Sequence, residues 1–215
     1  MRIKKIRGHK RIWKRIDEWR DTNLKLDIEN LLLQHRDYTK IRIHPFSSIS
    51  VLNSYFPEPK GKTKKKILAA LLDIYDSWKS SLDSLNEPYY LKIWLYEPEF
   101  SSSQVVCSLR SCLNFYDQTF FKPDDIPDST IKTMKKSLPE NFNWTLHLDE
   151  LHLKNNEIGS PEDYYSEEEY LNELNWFNKE IKKAHRTSTF KDSNDEIVEY
   201  FSFKKGFVWL GDRTD

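Results

Sequence analysis

Few stretches of this 215-residue chain place reactive side chains at a spacing that chemistry would use. Gly61-Lys62-Thr63 ends as a phosphate-binding loop ends. Such a loop needs a further glycine five residues earlier, so that backbone N–H groups can wrap the phosphates. Phe56 stands there, followed by Pro57 and Pro59. The five glycines lie at 8, 61, 159, 206 and 211, and no two are within four positions of each other. That excludes a dinucleotide-binding fingerprint.

His147, Glu150 and His152 in the segment HLDELH are residue types that ligate metals. A helical zinc site sets two histidines four apart on one face. Here the separation is five, in a segment that alternates as a strand does, so the imidazoles point to opposite faces unless a bulge intervenes. The expectation is polar residues on a solvated strand face, with no metal or cofactor. Cys107 alternates with Val105 and Leu109 and reads as core, whereas Cys112 fits core or loop equally. A cysteine nucleophile needs a neighbouring group that lowers its pKa, and no G-x-S-x-G elbow is present. Glu180-Ile181-Lys182 matches half of a nuclease pattern, with Asp124 or Asp128 as the distant acid. That pattern needs a strand, so that both side chains reach one metal. Here the pair falls on a helix, where i and i+2 diverge. No catalytic residue is assigned, and a non-catalytic role is favoured.

Charge is the more informative signal. The chain carries 34 basic and 34 acidic side chains, but they are not mixed evenly. Residues 1–80 hold 19 basic and 9 acidic groups, a net +10; residues 141–180 hold 2 and 10, a net −8. Glu162, Asp163, Glu167, Glu168 and Glu169 lie early in a helical segment and Lys179, Lys182 and Lys183 late, the order the helix dipole favours. Lys62, Lys64, Lys65 and Lys66 lie at the start of another helix, where the dipole disfavours cations by roughly 0.3–1 kcal/mol each. A locally unfavourable arrangement implies an anionic partner, either the acidic segment itself or a phosphate.

The elements that must position these groups follow from periodicity. Apolar residues at helical spacing mark 9–35, with a break and new N-cap at Asp21-Thr22-Asn23, and 63–85, with the stripe Ile67, Leu71, Ile74, Tyr75, Trp78, Leu82 and Leu85. A helix over 161–184 is expected from Ser160 as N-cap, Pro161 at the first helical position and Asp163 completing a capping box. Its core stripe is Tyr170, Leu174, Phe177 and Ile181. Strands are expected at 38–44, 89–96, 104–110 and 143–153, the last with a bulge near Asp149-Glu150. The strand at 89–96 reads as buried on both faces. Two more, 197–203 and 207–211, are joined by Lys204-Lys205-Gly206 as a hairpin. Residues 46–61 read as loop, 112–121 are aromatic and ambiguous, and 122–140 carry three prolines around a short amphipathic piece. Strands and helices do not alternate strictly, so the class is α+β: a mixed, mainly antiparallel sheet of about six strands packed by about four helices. The chain reads as a single α+β domain over 1–215, with 122–140 the only candidate boundary.

Two cysteines are too few for a disulfide scaffold and point to reduced thiols. The N-terminus MRIKKIRGHKRIWKR is basic but lacks the apolar stretch of a secretory signal. No segment approaches the ~18 apolar residues of a membrane span. A cytoplasmic location with no membrane partner is expected.

Several stretches together resemble a group of bacterial proteins known only as a domain of unknown function: the opening KKIRGHKR, the helix ILAALLDIYDSW, SLPENF before a late strand, and the closing FVWLGD. Some small proteins of that kind accompany toxin genes as immunity proteins. The resemblance implies binding rather than catalysis and carries over no site residues.

Two functional expectations follow. The first is an immunity protein or antitoxin that neutralises a cognate toxin by direct binding. Its surface would be Glu162, Asp163, Tyr164, Tyr165, Glu167, Glu168, Glu169 and Tyr170, the carboxylates mimicking a phosphate backbone and the tyrosines serving as anchors. The alternative is a nucleic-acid-binding protein using Lys4, Lys5, Arg7, Lys10, Arg11, Lys14 and Arg15 with Lys62, Lys64, Lys65 and Lys66. Trp13 could stack on a base there, although its spacing also suits a core role.

Overall fold

The structure is a computed structural model. It describes residues 5–33, 38–42, 58–114, 116, 120, 123, 126–191 and 195–213, with backbone alone for 5–9, 33 and 38–42. The chain divides into two compact units, residues 1–147 with 207–215, and residues 148–206. The proline-bearing stretch 122–140 lies within the first.

In the first unit, α1 (Lys5–Asn23), α2 (Ile28–Leu33) and α3 (Gly61–Asp83) cover one face of a sheet. The sheet is built from β1 (Tyr38–Arg42), β2 (Tyr89–Glu97), β3 (Gln104–Leu109) and parts of β4 (Phe142–Lys154) and β6 (Ile197–Arg213). The strand order is β1-β3-β2-β6-β4. A short helix, α4 (Asp128–Lys135), is the amphipathic piece between the prolines. The break expected at 21–23 falls later: Asp21, Thr22 and Asn23 still belong to α1, the chain leaves the helix at 24–27, and the new N-cap is Asp27, whose Oδ1 accepts from Asn30 N at 3.0 Å. The strand expected over 38–44 is described to Arg42. Residues 43–57, most of the expected loop, lie outside the described residues.

Helices α1 and α3 run in the same direction. Trp13 Nε1 lies 3.5 Å from Thr63 Oγ1, Lys66 Nζ 2.5 Å from Asp17, Arg20 3.3 Å from Asp73, and Trp78 Nε1 donates to Asn23 O at 2.8 Å. Between them and the sheet, Ile16, Trp19, Ile67, Leu71, Ile74, Trp78 and Leu82 meet Leu91, Ile93, Leu95, Val105, Cys107, Leu109 and Trp209. Most of the apolar stripe expected on the 63–85 helix is therefore the core, with Leu85 packed at its edge. Gly211 serves this core: a Cβ there would enter the Trp144 ring, which is held by its Nε1 donating to Pro139 O at 2.9 Å. The opposite face of the sheet carries a second, aromatic cluster of Trp94, Val106, Val208 and Leu210, with Tyr116, Tyr90, Tyr96 and Phe120 packed on it. Strand β2 is thus buried on both faces, as its nearly continuous apolar sequence implies.

The second unit holds the rest of β4 and β6, β5 (Arg186–Lys191) and α5 (Glu167–Glu180). Strand β5 pairs antiparallel with β6 from Arg186↔Ser202 to Lys191↔Ile197, and Asn155 N, just past the end of β4, donates to Glu199 O of β6 at 3.1 Å.

Several expectations need correction. The class is α+β, but there are five α-helices among the described residues rather than about four. The sheet path has five strands with β5 pairing off it, and the pairings among β1, β2, β3, β5 and β6 are all antiparallel rather than mixed. The expected hairpin at Lys204-Lys205-Gly206 does not form. β6 runs unbroken because its first half pairs with β5 and its last residues with β2, so the ladder holds both sides of the turn signal extended. The expected 161–184 helix is interrupted. The Ser160–Asp163 capping box exists, with Ser160 N donating to Asp163 Oδ2 at 2.7 Å, but it closes only one 3-10 turn. Tyr164 is extended, and Ser166 caps a fresh start, its Oγ accepting from Glu169 N at 3.2 Å. No helix among the described residues is long and apolar enough to cross a membrane.

Candidate interaction surfaces

The parallel arrangement of α1 and α3 brings both N-termini to one end of the first unit. Lys10, Arg11, Lys62 and Lys65 are exposed there. Lys14 pairs with Glu18 at 3.2 Å, and Arg15 is half-buried. Lys64 pairs with Glu97 at 2.8 Å and lies 4.7 Å over the Phe100 ring, while Lys66 pairs with Asp17. Two of the four dipole-opposed lysines are therefore neutralised by carboxylates of their own unit. Lys60 caps α3 without a side-chain hydrogen bond, and Gly61 takes a left-handed φ of 53° that suits glycine. Lys4 lies outside the described residues, as do the side chains of Lys5 and Arg7. Trp13 is half-buried against the core and bonded to Thr63, so it is not a free stacking platform.

The acidic segment belongs to the second unit. Of its carboxylates, Asp163 is spent on the Ser160 cap and Glu169 accepts from Tyr165 N at 3.1 Å. Glu162, Glu167 and Glu168 are exposed. Tyr164 and Tyr170 pack edge to face at 5.4 Å and are half-buried, so they stiffen the entry to α5 more than they project from it. Tyr165 alone is fully exposed, at 102%. The predicted partner-binding residues thus divide into capping groups and a projecting remainder.

Sequence reasoning missed the apolar part of this surface. Among the described residues the large hydrophobic side chains that stand exposed are Leu151, Tyr165, Leu171, Trp176, Phe190 and Ile197, and every one belongs to the second unit. The same unit buries only Leu148, Phe177 and Val198 among its hydrophobic residues. On α5, Glu169, Glu173, Trp176 and Glu180 follow i, i+4, i+7, i+11 spacing and share one face. That spacing was a readable signal, because it sets a large aromatic among carboxylates. Charge follows the same division. Residues 148–206 carry eight basic and fourteen acidic side chains, a net −6, which leaves a net +6 for the first unit.

A polar centre secures β5. The Glu150 side chain is only 4% exposed; it accepts from His185 Nε2 at 2.8 Å and from Arg186 Nη2 at 2.6 Å. His152 Nδ1 lies 3.0 Å from Ser202 Oγ, and His185 N donates to Ser202 O at 3.0 Å. The three residues of the HLDELH segment that could have met at a metal are thereby separated. Glu150 turns to β5, His152 to β6, and His147 to Thr145 Oγ1 at 3.1 Å. Among the described residues no group of three or more His, Cys, Asp or Glu is placed to hold a metal ion. Burial pushes the Cys107 thiol up to about 12, so it holds its proton and is no nucleophile. Glu180 of the nuclease-like pair bonds to Lys183 at 2.5 Å instead.

No family model, no curated protein and no solved structure matches this chain.

Proposed function

We propose that the chain is a non-catalytic binding protein whose second unit docks a cationic partner protein through the exposed face of α5. One observation carries this reading: among the described residues, all six exposed large hydrophobics lie in a unit that buries only three. Exposed apolar side chains gathered in one region, with polar groups around them, mark a protein interface. Trp176 and Tyr165 are residue types that anchor such interfaces, and the net −6 around them selects a basic surface. The resemblance to toxin-associated bacterial proteins suggests the partner class, a toxin whose own binding groove is basic because it holds phosphate backbones. On this reading the protein works in the cytoplasm as an immunity protein or antitoxin. The test is co-expression with the product of the adjacent gene. A stoichiometric complex and protection from toxicity are expected, both lost with Trp176→Ala and Glu173→Lys together. No complex and no protection would overturn the reading.

A second reading rests on the shared end of α1 and α3. Lys10, Arg11, Lys62 and Lys65 project from two helix N-termini that face the same way, an arrangement suited to a nucleic-acid backbone. Binding there weakens steeply with salt. Affinity for RNA or DNA that is flat between low and physiological salt rules it out.

A further inference from the structure

On the sheet face opposite the helices of the first unit, a half-open cavity of about 110 Å3 is lined by Tyr90, Lys92, Tyr116, Phe120, His147 and Leu210. Its position follows from strand alternation. Tyr90 and Lys92 are i, i+2 on β2, and Leu210 of β6 stands in register with Trp94 of β2. Tyr116 and Phe120 close over them from the segment that follows β3, each meeting Trp94 edge to face at 4.9 Å. The walls are largely aromatic; the space is smaller than the ~150 Å3 engineered apolar cavity that holds benzene, and its open side lets a ring sit part-way in. The polar groups are the informative part. Lys92 is half-buried, its Nζ 5.4 Å over the Tyr90 ring, and no carboxylate among the described residues is in ion-pair contact with it. His147 contributes an imidazole whose Nε2 lies beside Thr145. A half-buried ammonium beside aromatic walls is complemented by an anion that brings its own ring.

We propose that this cavity binds a small aromatic carboxylate. The ring packs among Tyr116, Phe120 and Leu210 with edge-to-face contacts, and the carboxylate meets the Lys92 ammonium beside the imidazole of His147. The site belongs to the first unit and does not depend on the protein-binding reading of the second.

The probe is benzoate, titrated into the full-length protein with chemical-shift changes followed on the rings of Tyr90, Tyr116 and Phe120. A ligand of nine non-hydrogen atoms supports a Kd on the order of 1 mM. Benzyl alcohol, which lacks the charge, and acetate, which lacks the ring, are expected to bind at least about tenfold more weakly. Lys92→Met keeps the apolar stem and is expected to weaken benzoate by roughly ten- to a hundredfold, the scale of one charged hydrogen bond. The wild-type comparison of the three probes stands whether or not that variant folds. No saturable shift with benzoate, equal binding of benzyl alcohol, undiminished binding by a folded Lys92→Met, or shifts at other residues would each overturn the proposal.

Discussion

Removing the Glu150 carboxylate tests how the second unit is held together. The Glu150 side chain is almost fully buried and joins β4 to the start of β5 through Arg186, its first residue, and His185, the residue before it. Breaking a buried pair by deleting one partner costs about 3–5 kcal/mol when the orphaned charge stays dry. Here Arg186 is 36% and His185 31% exposed, so water reaches the groups left behind. The expected cost of Glu150→Ala is therefore lower, ~2 kcal/mol, from one lost charged hydrogen bond and partial desolvation. With only three buried hydrophobic residues in the unit, that is a large fraction of what holds it. Native-state hydrogen exchange is the assay. The amides of β5 and of His185, which donates to Ser202, should lose about 2 kcal/mol of protection, while those of Val105, Val106 and Cys107 keep theirs. Glu150→Leu combined with Arg186→Met, which removes both charges and restores apolar volume, should recover most of the loss. Equal loss in both units, or unchanged exchange in β5, would refute the account of Glu150 as the tether.

Other outcomes follow from single residues. In the native protein one thiol, Cys112, is expected to react with a disulfide reagent at pH 8, and Cys107 only after unfolding, since burial protects it. Stability should fall in alkali. Burial raises Cys107 from 9.0 and Tyr75 from 10.0 to about 12 each in the folded state, so the unfolded chain ionises first. Each group's contribution, complete below its unfolded value, is lost as pH rises towards 12, at ~1.4 kcal/mol per unit. Urea midpoints between pH 8 and 11 measure this, and Cys107→Ala should flatten the slope from pH 9. Gly211→Ala should cost about 1–3 kcal/mol, because the new methyl meets an indole that its bond to Pro139 keeps in place; thermal unfolding reads it directly. A cognate partner at a hundredfold its Kd should add up to ~2.7 kcal/mol of exchange protection, confined to residues 148–206.

How far the fold could be read from sequence depended on whether local and long-range preferences agreed. In α3 and β2 they did, since the apolar period of each matches the face it buries. At Lys204-Lys205-Gly206 they did not. Glycine after two lysines is a turn signal, but β5 and β2 each offer the flanking residues a ladder partner, and the ladder keeps the backbone extended. Strand β5 went unseen because RTSTFK lacks apolar alternation, and nearly all of it is exposed; only its threonines hinted at a strand. In the 161–184 segment two serines six residues apart each cap a start, and periodicity cannot tell one helix from a turn followed by a shorter helix. The site was harder still. Leu171 and Trp176 are residue types that usually fill a core, and only the fold, which buries just three described hydrophobic residues in their unit, shows them as surface. The partners of Lys64 and Lys66 lie 33 and 49 residues away in sequence, beyond any local pattern.

The opposed charges of the chain therefore carry a narrower meaning than their net values suggest. A basic cluster at a helix N-terminus implies a partner, but for Lys64 and Lys66 that partner is Glu97 and Asp17 of the same unit, which removes the argument for an external anion at those two positions. It survives at Lys10, Arg11, Lys62 and Lys65. The acidic segment undergoes the same subtraction: Asp163 and Glu169 satisfy backbone amides where α5 begins, and Glu162, Glu167, Glu168 and Glu173 are left exposed. What distinguishes the two remainders is their company. The exposed cations stand at the end of a unit whose described large apolar side chains are covered, whereas the exposed carboxylates share their unit with Trp176, Leu171 and Tyr165 in the open. Charge alone steers an encounter, but a lasting complex needs apolar area to bury. Among the described residues the second unit alone offers both, which is why the protein-binding reading ranks above the nucleic-acid one.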